Sequence, residues 1–111
     1  MRLRGSRGDD RVRRLGADPR DSSAVVKAAL RRARIELALP HTRIEIASSP
    51  SSARPNARGR TLAGVVTLYP AAFADPWTLA WTTLHELAHA AGLSEAEAEA
   101  FAHRQLMEEV P

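Results

Sequence analysis

His85-Glu86-Leu87-Ala88-His89 is the stretch on which the reading of this chain turns. The two histidines stand four residues apart, so on a helix both imidazoles project from one face, one turn apart. That separation lets both rings bind one zinc ion, with nitrogens about 2.0–2.1 Å from the metal. Glu86 follows the first histidine directly and points to a different side. There it can serve as general base toward a metal-activated water.

The flanks predict the helix itself. Asp75-Pro76 opens it, an Asp cap followed by Pro at the first helical position, where a missing N–H costs nothing. Trp77, Trp81, Leu84, Ala88 and Ala91 recur at helical spacing and form an apolar stripe. Gly92 suits a left-handed C-terminal cap, which places the helix over about 76–91. Apart from Glu86, no charged residue interrupts the run from 77 to 91. A mostly buried helix carrying His, Glu and His needs partners for those groups, because unpaired buried polar atoms are costly. A metal ion supplies one. The competing reading is a solvent-facing histidine pair on an ordinary amphipathic helix.

Composition narrows the chemistry. The chain has 111 residues, enough for one small domain with one core. Aromatics are sparse at 5%, so the core must lean on Leu, Val, Ile and Ala. There is no cysteine, which excludes disulfides and thiolate zinc sites. Any metal must be held by His and carboxylate, a donor set that suits a catalytic zinc better than a structural one. The formal charge is +3, and Lys27 is the only lysine among the basic residues. The start has no apolar stretch after its charges, so it does not read as a secretory signal. No apolar run is long enough to span a bilayer. The expectation is a soluble cytoplasmic protein.

Residues 1–22 are rich in Arg, Gly and Asp with little periodicity and read as a flexible, Arg-rich tail. A basic tail can bind nucleic acid through phosphates, but Asp9, Asp10, Asp18 and Asp21 dilute the charge. The folded domain is expected over 23–111. Ser22-Ser23 can cap a helix over about 24–39, with Val26, Leu30, Ala33 and Leu37 on its apolar face and Pro40 ending it. Arg43-Ile44-Glu45-Ile46 alternates charged and apolar residues, a half-buried strand. Residues 48–59 collect Ser, Pro, Asn and Gly and read as an exposed loop. Residues 61–69 read as a second strand, with Gly64 at a bulge and Pro70 stopping it. A last helix is expected over about 95–109. The order predicts an α+β fold, with a small antiparallel sheet packed on the N-terminal helix and the motif helix, followed by a C-terminal helix. An exposed edge on the 61–69 strand could take an extended peptide as an added strand.

A catalytic zinc takes three protein ligands and leaves a place for water. After His89 the candidates are Glu95, Glu97, Glu99 and His103. On a helical wheel, Glu95 falls inside the face formed by Ala98, Ala102 and Leu106, Glu99 at its margin and Glu97 on the far side. Ser94 and Glu97 also form S-x-x-E, a capping box, which gives Glu97 a structural task. Glu95 is the preferred third ligand. Glu99 is the alternative, or else an acceptor behind a ligand histidine. His103 reads as a surface or core histidine. The spacing H-E-x-x-H-x-x-G-x-x-E also matches that of metzincins, with Glu95 in place of the usual histidine.

The stretch 84–111 resembles the ImmA/IrrE-type zinc metallopeptidases. The resemblance rests on His85-Glu86-Leu87-Ala88-His89, on Glu95-Ala96-Glu97-Ala98-Glu99-Ala100-Phe101-Ala102, and on Leu106-Met107. Val65-Val66-Thr67-Leu68 also fits the strand that precedes the motif helix in that family. About the last fifty residues are covered well, and the helix over 24–39 only loosely. The resemblance implies a minimal zincin-like domain with His85, His89 and Glu95 as zinc ligands and Glu86 as catalytic base. It implies cleavage of specific regulatory proteins. Glu99 stands where the family usually has Asn, and the loop between His89 and Glu95 is short for the family, as in a minimal version or a related branch such as ArdC-like or SprT-like proteins.

The expected activity is zinc-dependent hydrolysis of a protein or peptide substrate, with Tyr69, His41 and His103 available as further donors to a developing oxyanion. Two rivals stand beside it. One is a zincin-fold protein that binds a partner without appreciable turnover. The other is a basic nucleic-acid-binding module.

Overall fold

A computed structural model describes residues 7–107. It is an α+β fold: α1 (Arg7–Leu15), α2 (Ser22–Glu36), β1 (Arg43–Ile46), β2 (Gly59–Leu62), β3 (Val65–Leu68), a 3₁₀ turn (Pro70–Phe73), α3 (Pro76–Ala90) and α4 (Glu95–Met107). α3 is the central element. Leu79, Ala80, Leu84, Leu87 and Ala88 on it are all buried, and it packs against α1, α2, α4 and the sheet. Its start is the expected one: the Asp75 carboxylate accepts from the Thr78 N–H at 2.7 Å and from the Thr78 hydroxyl at 3.0 Å. Phe101, from α4, is the largest fully buried side chain.

The expected tail is corrected over 7–22. Arg7–Leu15 is helical, and Val12 and Leu15, three residues apart, enter the core with Ala17 behind them. Arg11 explains part of the docking. Its guanidinium donates to the carbonyls of Leu106 at 3.0 Å and Met107 at 2.8 Å, tying α1 to α4. Local composition hid this, because α1 packs on α3 and α4, far along the chain. Residues 1–6 of the expected tail, and the last two residues of the helix expected to 109, lie outside the described residues.

α2 also differs at both ends. Asp21 rather than a serine caps it, accepting from the Ala24 N–H at 3.1 Å, and Leu37 has already turned extended three residues before Pro40. The buried face is Val25, Ala28, Ala29 and Ala33, and Val26 and Leu30 are only half-buried. Alanines on that face let α2 lie close against α3.

The sheet is mixed, not antiparallel, and has the order β1-β3-β2. The single strand expected over 61–69 is parts of two strands joined by a tight turn. Ala63 (φ 51°) and Gly64 (φ 78°) both take positive φ, as a two-residue hairpin of the I′ kind requires. That hairpin pairs β2 antiparallel to β3, Thr61 opposite Val66, and β3 then lies parallel to β1, Ile44 opposite Val66. Gly64 is therefore a turn residue rather than a bulge. β3 is the central strand, and β2 is an edge.

The hairpin register decides what that edge offers. Leu62 opposes Val65 next to the turn, and the Arg58 carbonyl accepts from the Tyr69 N–H at 2.8 Å. In an antiparallel ladder alternate residues exchange bonds with the partner, so Gly59 and Thr61 direct their N–H and C=O groups to the open side. On its core face β2 meets α3 very closely. A Cβ on Gly59 would stand 2.9 Å from both Glu86 Cγ and Thr82 Cγ2, a space only glycine leaves free. No helix among the described residues is long and apolar enough to cross a membrane.

Candidate metal centre

His85 and His89 project from the same face of α3 with ring centroids 4.8 Å apart. α3 ends in a turn that brings the next helix back to them. Ala91 is the last cap, Gly92 follows at φ +95°, the Gly92 N–H donates to the His89 carbonyl at 2.9 Å, and the Leu93 N–H to the Ala88 carbonyl at 3.0 Å. This is the Schellman arrangement. Ser94 and Glu97 then cap α4 reciprocally: the Ser94 N–H donates to the Glu97 carboxylate at 2.8 Å, and the Glu97 N–H to the Ser94 hydroxyl at 3.3 Å. Glu95 thereby stands at the first position of α4, over the two imidazoles.

Three donors converge. Glu95 Oε2 lies 3.2 Å from His85 Nε2, and Glu95 Oε1 lies 2.8 Å from His89 Nε2. One ligand atom from each of His85, His89 and Glu95 falls within 4.8 Å of the others. The opposite nitrogens are held from behind. His89 Nδ1 is 3.0 Å from the Leu93 carbonyl, which can only accept, so Nδ1 carries the hydrogen. His85 Nδ1 faces Glu86 Oε2 at 3.3 Å. Acceptors at both Nδ1 atoms assign Nε2 of each ring to the shared centre, the arrangement that orients metal-ligating histidines. This group could hold a metal ion.

Glu86 sits beside the pair rather than within it. It is buried, and its Oε1 accepts the Thr61 hydroxyl at 2.7 Å, while the same hydroxyl lies 2.8 Å from the Glu86 carbonyl. Burial pushes the Glu86 carboxyl up, but hydrogen bonds with His85 and Thr61 and the charges of both histidines outweigh it and hold the group below its ordinary value. The hydrogen bond with Glu86 raises His85; burial opposes this, and the charge of Glu95 reinforces it. Glu95 is lowered, chiefly by its bond with His89.

These directions set a pH dependence. The raised His85 contributes stability that is complete below its unfolded value of 6.5 and is lost as pH climbs through the folded value. The lowered Glu86 and Glu95 contribute above 4.5 and lose it as pH falls through their folded values. Both contributions are present together between about 4.5 and 6.5. The melting temperature of metal-free protein is therefore expected to fall as pH rises from about 6.5. The increment added by a divalent metal should grow over the same interval, because metal must displace the His85 proton. A metal-free melting temperature that rises across this range would contradict the assignment.

A cavity of about 390 Å³ opens beside the converging group, lined by His85, Glu86, Glu95 and Glu99 on one side and by Asn56, Arg58 and Gly59 on the other, with Trp81 and Thr82. Glu99 thus borders the site but lies outside the three that converge. His103 is exposed, its ring set edge-on to Trp81 at 6.2 Å, and Trp81 stacks on Trp77 at 5.1 Å. Neither His41, Tyr69 nor His103 lines this cavity, whereas Asn56 and Arg58 do and carry side-chain donors. Sequence reading missed both, as well as Thr61 and the Leu93 carbonyl. Only the last had a local signal: it lies four residues beyond His89 in the turn that Gly92 makes.

No family model, no curated protein and no solved structure matches the chain. Gly92 offers a direct handle on the site. Nothing lies within 4 Å of a Cβ built there, so Gly92→Ala meets no clash and its cost is purely that of a positive φ. A loss of about 1–2 kcal/mol in urea unfolding is expected, together with weaker metal binding as the Leu93 carbonyl leaves His89. Gly92→Asn, which tolerates this conformation better, should recover part of both. Wild-type stability and affinity in Gly92→Ala would show that the turn does not position the ring.

Proposed function

We propose that this chain is a zinc metallopeptidase, with His85, His89 and Glu95 as the metal ligands and Glu86 as general base. The observation that carries the reading is the convergence of two Nε2 atoms and one carboxylate beside a cavity that Glu86 also lines. Two imidazoles and one carboxylate, without cysteine, form the donor set of a catalytic rather than a structural zinc. The resemblance of 84–111 to ImmA/IrrE-type metallopeptidases points the same way. A zinc ion with three protein ligands supplies Lewis acidity and brings the pKa of a water to about 7.

The chain's own residues divide the remaining work. Glu86, held ionised by its neighbours, can accept a proton at the cavity wall and return it to a leaving amine. Asn56 and Arg58 offer donors across the cavity, where a developing oxyanion needs them. The open backbone of Gly59 and Thr61 lets an extended peptide add to β2 as a further strand, and Gly59 itself lines the cavity. A peptide so placed would run past Glu86.

One observation favours binding without turnover. Oε1 of Glu86 already holds Thr61, and Oε2 faces His85, so the base must give up a partner to work. A quenched-fluorescent peptide library decides between the two readings. Zinc-loaded protein should cleave a subset, lose activity to a chelator and regain it with zinc. Stoichiometric zinc without cleavage of any member would leave the binding reading in place.

A further inference from the structure

A second cavity, of about 340 Å³, adjoins the first at Gly59, which lines both. Ser51, Arg54, Arg60 and Tyr69 complete its wall with Ala57. Every polar side chain there can donate. The Ser51 hydroxyl accepts the Arg54 N–H at 3.2 Å, which leaves its own hydrogen free. Tyr69 is only 9% exposed, and its hydroxyl has no hydrogen-bond partner among the described residues. Because every fully buried side-chain oxygen and nitrogen does have a partner, that hydroxyl must be the accessible end of the residue.

Charge in this region is unbalanced. No Asp or Glu occurs between Glu45 and Asp75, while Arg54, Arg58 and Arg60 all fall in that stretch. Three arginines elsewhere do have a carboxylate at hand: Arg13 with Asp10 at 2.9 Å, Arg20 with Asp18 at 3.1 Å and Arg43 with Glu45 at 2.9 Å. Neither Arg54 nor Arg60 is paired with a carboxylate among the described residues. A planar guanidinium matches a carboxylate with two parallel bonds, and tyrosine and serine hydroxyls supply the remaining donors.

We propose that the cavity formed by Ser51, Arg54, Arg60 and Tyr69 is a carboxylate-binding subsite beside the metal centre. It rests on the peptidase reading for what it serves, namely a substrate bearing a carboxylate within a few residues of the bond over Glu86. That carboxylate can come from an acidic side chain or from the substrate's own C-terminus. Either is drawn to the free edge of β2 by the same two guanidinium groups.

The test uses the zinc-loaded full chain and four short peptides alike except at one point: a Glu peptide with amidated C-terminus, its Gln and Lys counterparts, and the Gln peptide with a free C-terminal carboxylate. In parallel, the Arg54 and Arg60 Nε–H resonances are followed by NMR as each peptide is added, a readout that does not need turnover. Preference for the Glu peptide over the Gln peptide by about tenfold in kcat/KM, lost in Arg54→Gln and in Arg60→Gln, supports a side-chain source. The same preference for the free-acid Gln peptide supports a terminal source. Both variants change exposed residues, so their folding is expected to be unaffected. Equal cleavage of all four peptides overturns the subsite and leaves the peptidase reading standing. Resonance shifts specific to the carboxylate peptides, with no cleavage of any, uphold the subsite, and the peptidase reading is then decided by the library. Absence of such shifts together with absence of cleavage overturns the subsite.

Discussion

Glu95→Ala is expected to lose more than about 100-fold in zinc affinity, because removing even an outer partner of a metal ligand costs about 10–100-fold. His85→Ala should lose at least as much. Fold loss is not the cause in the first case. Glu95 is exposed at the start of α4, and the capping bonds between Ser94 and Glu97 do not involve its side chain. The two histidines would remain on one face of α3, with the Leu93 carbonyl still holding His89, and a two-nitrogen site would persist at reduced strength. Metal content after dialysis, measured for wild type and both variants, checks this. Glu99→Ala serves as the comparison. Glu99 borders the cavity but is outside the converging set, so its removal should leave stoichiometric metal. Full metal retention in Glu95→Ala with loss in Glu99→Ala would transfer the third position to Glu99.

The range of each interaction along the chain separates what could be read in advance from what could not. The ligand group lies within eleven consecutive positions, 85–95, on one helix, the turn after it and the first residue of the next helix. Helical spacing, one glycine and one capping box suffice to place such residues, since every relation is local. The capped start of α3 at Asp75-Pro76 is legible for the same reason. Arg7–Leu15 is not, because Val12 and Leu15 enter a core built mainly by α3 and α4, far along the chain, and the intervening arginines suggest solvent. The hairpin failed differently. Ala63 takes a φ of 51°, where glycine or asparagine would be expected, so the turn carried half its usual signal and the run 61–69 passed for one strand. The turn at Ala63-Gly64 splits that run, so Val65–Leu68 becomes the sheet's central strand and Gly59–Leu62 its edge. Thr61, Asn56 and Arg58 reach the site only through that hairpin and the loop before it. No spacing rule links them to Glu86, twenty-five or more residues on.

Glu86→Gln should keep zinc and lose turnover by about 10²–10⁴-fold, the usual contribution of a positioned acid–base group. The substitution is informative because the surrounding hydrogen bonds can be satisfied by the amide. With its carbonyl turned toward His85 Nδ1 and its NH₂ toward the Thr61 oxygen, glutamine meets both present partners of the carboxylate. Thr61 can still donate to the residue-86 carbonyl at 2.8 Å, so its hydroxyl is used as donor and acceptor at once. His85 retains an acceptor at Nδ1 and presents Nε2 to the metal as before. The opposite amide orientation would aim NH₂ at Nδ1 and favour the tautomer that blocks Nε2, so metal binding itself selects the productive one. What glutamine cannot do is accept a proton at neutral pH. Zinc stoichiometry and the melting-temperature increment on zinc addition should therefore match wild type, while hydrolysis of the best library peptide collapses. Equal rates for the variant and wild type would exclude Glu86 as the base, and equal absence of turnover in both, with zinc bound, would assign the centre to partner binding.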